Sequence, residues 1–288
     1  MSRRKRDGQG SGSGRQAGGS RGGQGKARGR RRLALLAAGT ACALLVALVA
    51  FLALSAGSGE APGPPKATIV DQLSLTFPNQ DFVDKATGVL EGAGHVVDYF
   101  PGEEVTVDFL RNLAGQHYTY VILRVHSTVE LREASGATST DEAFLFTGEP
   151  YSRTKYADER LGGYLVRTHY SENDQAYYYG ITPSFIASKI KGRFDGATVI
   201  LMGCDSLKSE SAASAFVSKG AKAVIGWDGA VSAAHTDEAT ERLLHYLLVE
   251  ELAPSEAVAR AMTDVGPDPS YGSKLVLYPD DKAASSAP

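Results

Sequence analysis

Two short runs, YTYVILRVH (118–126) and ATVILMG (197–203), are apolar at successive positions instead of alternate ones. A strand built from either has to be covered on both faces, which is the condition of a central strand in a parallel sheet flanked by helices. The segments around them alternate in the way such a sheet requires. ATIVDQLSL (67–75) reads as a first strand, DFVDKATGVLEGAG as a helix, HVVDYF (95–100) as a second strand and VDFLRNLAG (107–115) as a short helix. After the second apolar run come a helix ended by Gly220, the strand AKAVIGW (221–227), a long amphipathic helix from about Ala233 to Glu250, a short helix over SEAVARAM and a closing strand KLVLYP (274–279). The helix TPSFIASKIKG precedes that second run. The expected fold class is α/β.

Residues 128–180 interrupt the alternation. They hold no long periodic helix, only the short strand candidates AFLFTG and GYLVRTHY and a cluster of Tyr177, Tyr178 and Tyr179. An irregular insertion of this length inside a compact domain usually serves function. The tyrosines fit either a substrate groove or ordinary packing of the insertion.

The chain before this domain is of another kind. Residues 1–32 hold 11 of the 30 Lys/Arg and a single acid, Asp7, in a Gly/Ser-rich stretch too polar to build a core. Residues 33–55 carry no charge, and a helix crossing a bilayer needs roughly 20 such residues. Arg28, Arg30, Arg31 and Arg32 abut the N-terminal side of this span, so the positive-inside rule puts the tail in the cytoplasm. A cleaved secretory leader is the rival reading, although its apolar stretch would be only about 7–15 residues. Residues 56–65 form a Gly/Pro/Ser linker, and 66–288 are expected to be one extracytoplasmic domain at the cell membrane. Beyond the basic tail, 19 Lys/Arg face 32 Asp/Glu, a balance that does not seek nucleic acid.

Each of the two apolar runs ends in a chemically useful residue. The first delivers His126 and the second Cys204, the one cysteine outside the span. Neighbouring parallel strands would bring both to the same carboxyl edge, where open α/β folds place their ligands. That is the arrangement of a Cys-His nucleophilic dyad, with His126 as base and the backbone amides of Ser127 and Cys204 as oxyanion donors. A helix starting just after Cys204 would favour the thiolate. Taken alone, a Cys at a strand end is also an ordinary small buried hydrophobe.

The stretch GCDSLKSESAASAFVSKGAKAVIGWDGAVSAAHTDEATERLLHYLL resembles the C-terminal half of caspase-fold cysteine peptidases, among them separases, CHAT domains and gingipain-like enzymes. Gly203-Cys204, Gly220-Ala221, Ala223 to Gly226 and Trp227 carry the likeness, which covers about 118–127 and 196–279 and omits the insertion. It implies a caspase-like three-layer sandwich with a mostly parallel central sheet. It also implies a peptidase in which Cys204 attacks and His126 is the base. Ser127 stands where the family usually has Gly, and Gly203 where it commonly has Ala. The likeness further implies that Asp228, Asp205 and Trp227 contribute to substrate binding, the carboxylates pairing with an Arg or Lys before the scissile bond. In that case Arg132, Arg153 and Lys155 become candidate self-cleavage points.

No cofactor is implied. His95, His117, His169, His235 and His245 show no metal-ligand spacing, with His235 and His245 expected to face solvent, and no glycine-rich phosphate loop follows a strand. The implied partners are a peptide or protein substrate and, through residues 33–55, a membrane. An inactive binding domain of the same fold and an unrelated doubly wound ligand-binding domain are the competing readings.

Overall fold

The computed structural model describes residues 63–133, 136–170 and 176–279. The basic tail, the apolar span and most of the linker therefore lie outside the described residues. Among those described, no helix is long and apolar enough to cross a membrane. The chain divides into two units, Met1–Gly63 and Pro64–Pro288, and the second holds every strand and helix described below.

A six-stranded sheet runs in the order β2-β1-β3-β8-β9-β10. Its members are β1 (Lys66–Asp71), β2 (Val96–Pro101), β3 (Tyr118–Arg124), β8 (Thr198–Leu201), β9 (Ala223–Trp227) and β10 (Leu275–Tyr278). All neighbours are parallel except β10, which is antiparallel to β9. The two apolar runs are the adjacent central strands β3 and β8, as their two-faced burial requires.

The sheet is covered on both sides, giving three layers. On one face Ala67, Ile69, Tyr120, Ile122, Ile200, Ile225 and Trp227 pack with helices α1 (Gln80–Gly92), α6 (Ala233–Leu248) and α7 (Pro254–Val265). On the other, Val70, Val121, Leu123, Val199 and Leu201 pack with α2 (Val107–Asn112), α4 (Pro183–Lys189) and α5 (Ser211–Ser218). The period-2 alternation of strand side chains sorts each strand between the two cores. Helix starts are set by local chemistry: Asn79 accepts from the Phe82 amide, Thr106 from that of Phe109, and Thr182 from that of Phe185 ahead of Pro183.

Two expectations are corrected. The first strand stops at Asp71, because the Asp71 carboxylate accepts from the Ser74 amide and caps a 3-10 turn over Gln72–Leu75. The insertion is regular: β4 (Ser127–Glu133), β5 (Gly136–Pro150), β6 (Leu165–Thr168) and β7 (Tyr178–Ile181) form a second, antiparallel sheet in the order β4-β5-β7-β6, with the short helix α3 (Ala157–Leu161) between β5 and β6.

The sheet's carboxyl edge carries a fully buried cation. Arg124, at the end of β3, donates from Nη1 to Asp71 Oδ1 at 2.7 Å and from Nε to Asp237 Oδ1 at 2.7 Å. Its Nη2 donates to Asp237 Oδ2 at 2.8 Å and to the Phe77 carbonyl at 2.9 Å. Burial opposes the charge, and Asp237 and Asp71 override it, holding the guanidinium protonated. Removing one partner of such a set strands a buried charge. Asp237→Ala should therefore destabilise the fold by about 3–5 kcal/mol in chemical denaturation of the full chain, and Arg124→Met, which strands the Asp71 and Asp237 carboxylates, by at least as much.

Candidate functional site

The β3–β8 register pairs Leu123 with Leu201. Three residues on from each stand His126 and Cys204, so continuation of the same register sets the two opposite one another at the carboxyl edge. The segments stay in contact there: Ser127 Oγ donates to the Cys204 carbonyl at 2.5 Å. The sequence-derived pair is thus brought to one edge, yet the two side chains share no hydrogen bond. His126 Nε2 bonds Thr76 Oγ1 at 2.9 Å, on the loop after β1. Cys204 Sγ donates to the Val231 carbonyl at 3.3 Å and accepts from the Val231 amide at 3.4 Å, on the loop after β9.

The imidazole is enclosed. Its own backbone N–H donates to Gln72 Oε1. Tyr170 stacks on the ring at a centroid distance of 5.3 Å, with Phe146 at 5.9 Å and Phe77 at 6.0 Å. Burial, helped by the charge of Arg124, pushes its pKa down to about 4. Cys204 moves the other way: burial raises the thiol above its ordinary value, against the donor effect of the Val231 amide. The expected helix N-terminus is absent at this point. β8 ends at Leu201, Asp205 takes a left-handed φ of 54°, and α5 begins only at Ser211. Burial thus favours the neutral form of both groups.

The loop holding the sulfur is itself pinned. Asp268, almost fully buried, accepts from the amide and hydroxyl of Ser232 and from the amides of Ser270 and Tyr271. The Lys274 amide donates to Asp228 Oδ1 at 2.7 Å, so the exposed Asp228 closes this loop against β10. Asp205 pairs with Lys208 at 3.4 Å. Trp227 is fully buried and donates from Nε1 to Thr236, which makes it part of the wall behind the site and gives it no face toward a substrate.

Between the loop after β1 and the start of α6 lies a cavity of about 370 Å³ lined by Thr76, Phe77, Asn79, Arg124, Ala233 and Asp237 among others. One rim carries the hydrogen-bond partner of His126, and the other continues two residues past the partner of Cys204. Sequence reasoning missed Thr76, Gln72, Val231 and the Arg124 ion set. The one readable signal was an arginine inside an apolar strand, which demands buried carboxylate partners.

The remaining expectations divide. His245 is half-buried, whereas His235 is buried, packed on Trp227 and bonded to the Gly266 carbonyl, because it lies on the inner side of α6. Tyr179 is core, its hydroxyl donating to the Ser152 carbonyl, while Tyr177 is exposed. Arg153 and Lys155 are exposed in the connection between β5 and α3, and Arg132 lies in β4. Among the described residues no group of three or more His, Cys, Asp or Glu is placed to hold a metal ion.

Ser127 and Gly203 lie in close contact. A Cβ on Gly203 would lie 2.3 Å from Ser127 Oγ, 2.4 Å from the Val125 carbonyl and 2.9 Å from the Ser127 amide. Gly203→Ala should therefore cost about 1–3 kcal/mol, and Ser127→Gly should restore only part of it, since two of the three obstacles are backbone; thermal melting of the single and double variants checks this. The His126 shift has a definite sign as well. The folded pKa of about 4 lies below the ordinary 6.5, so the unfolded chain takes the proton first. Its contribution is complete above about pH 6.5 and is lost as pH falls toward 4, a change on the order of 3 kcal/mol. Denaturant titrations of the wild type and His126→Asn should converge over that window. No family model matches this chain, and no curated protein matches it.

Proposed function

We propose that this chain is a membrane-anchored cysteine endopeptidase with a caspase-like domain, hydrolysing peptide bonds through Cys204 and His126. The observation that carries the reading is the placement of His126 and Cys204 at the carboxyl edge, each three residues past the paired Leu123 and Leu201, with Thr76, the hydrogen-bond partner of His126, lining a cavity there. The sheet order with a single antiparallel edge strand is consistent with it. Since Nε2 lies on Thr76, Nδ1 is the nitrogen left to take the thiol proton as sulfur attacks the scissile carbonyl. The amides of Ser127 and Cys204 then stabilise the oxyanion, the imidazolium returns its proton to the leaving amine, and water releases the acid from the thioester. A neutral base of low pKa and a protonated thiol suit this general-base route better than a preformed ion pair. The exposed Asp228 carboxylate offers the pairing group for a basic side chain before the cleaved bond.

A second reading, an unreactive binding domain of the same fold, draws on the absence of a direct hydrogen bond between imidazole and sulfur and on the capture of the thiol by Val231. The two readings separate in the full chain carrying Cys42→Ser, treated with electrophilic peptides that bear Arg or Lys before the warhead. Covalent labelling lost in both Cys204→Ala and His126→Ala is expected of the peptidase. Labelling of Cys204 that is indifferent to His126, or no labelling by any peptide, would leave the binding domain.

A further inference from the structure

The insertion supplies a part of the site that the dyad alone does not account for. Tyr170, just beyond β6, lies nearly parallel to the His126 ring, with an interplanar angle of 23°. The same ring stacks on Tyr178 of β7 at a centroid distance of 4.1 Å and 21°. Its hydroxyl donates to the Thr147 carbonyl of β5 at 3.1 Å. Three aromatic or heteroaromatic rings thus form a series, His126, Tyr170, Tyr178, whose two tyrosines are held by the second sheet.

We infer that Tyr170 is a positioning residue for His126: its ring holds the imidazole plane and keeps water from one face, so that the second sheet sets the protonation of a group carried by the first. Rotation of the imidazole about its side-chain bonds is then limited by the Tyr170 face and by the Thr76 bond on Nε2. The inference rests on the reading of His126 as the base, but it concerns the imidazole itself and can be tested without turnover.

The groups that bear on this imidazole come from several elements. Arg124 of β3 is paired with Asp71 and Asp237, the Cys204 thiol is bonded to Val231 on the loop after β9, and Tyr170 contributes a phenol. A tyrosine face attracts a cation, which would favour the charged imidazole. Burial is the first cause of the depression at His126, however, and it works in the other direction. Opening the stacked face should therefore raise the pKa.

The test is an NMR titration of isotope-labelled histidines in the full chain in detergent micelles, with His126→Asn identifying the resonance. Tyr170→Ala is expected to move the His126 pKa up by about one unit toward its ordinary value. Tyr170→Phe, which keeps the ring and its stack, should stay within a few tenths of the wild type. The acid limb of Cys204 labelling should follow the same order. An unchanged or lower His126 pKa in a folded Tyr170→Ala overturns the inference, and so does a Tyr170→Phe that behaves like the alanine variant. Should Tyr170→Ala lose its cooperative melting, Tyr178→Ala takes its place, with a smaller upward shift supporting the role and no shift refuting it. His126-independent labelling, by contrast, would remove the peptidase reading and leave the positional effect on the imidazole standing.

Discussion

The carboxyl edge of this domain depends on one buried guanidinium. Arg124 ties the end of β1, the carbonyl at Phe77 and the second turn of α6 into a single polar knot. Asp71 in that knot also caps the turn after β1, and Asn79 both starts α1 and donates to Asp237. Between those two anchors the chain has little freedom. It is this stretch that presents Gln72 to the backbone of His126 and Thr76 to its ring. A charge that is costly to bury is thereby tolerated next to the site, where its partners fix the geometry of groups that are not themselves charged.

That proximity has a chemical side. A permanent cation two residues from the imidazole, on the same face of the strand, makes a second positive charge unwelcome. Two neutral partners do not attract across the edge as an ion pair would, which accords with each being bonded elsewhere at rest. The sulfur is held by a loop that Asp268 and Asp228 lace to the strand behind it. His126 and Cys204 therefore sit on two independent supports, one anchored through Arg124 and the other through Asp268.

Much of this was legible in the residues. The uninterrupted apolar runs of β3 and β8 identified central strands, and their ends pointed to His126 and Cys204. The helices α1, α4, α5, α6 and α7 followed from periodicity and capping. What was not legible depends on distance or on competing local chemistry. The partners of Arg124 lie 53 and 113 residues away, so no window of sequence contains them. The residues after Asp71 continue an apolar pattern, yet the Asp71 cap diverts them into a turn. Of the second sheet only AFLFTG and GYLVRTHY were readable as strands, because VELREASGATSTDEA alternates over its first four residues and then turns polar, and the pairing of β4 with β5 and of β5 with β7 orders the rest. Asp205, in a left-handed conformation, ends the regular chain where a helix was expected to begin.

The second sheet also bears on the covalent integrity of the molecule. The exposed connection between β5 and α3 divides the domain so that His126 lies on one side and Cys204 on the other. β4 and β5 belong to the first portion and β6 and β7 to the second, and the β5–β7 ladder joins them, as β3–β8 does in the large sheet. A chain severed at Arg153 or Lys155 would leave two fragments that each contribute strands to both sheets, with His126 in one and Cys204 in the other.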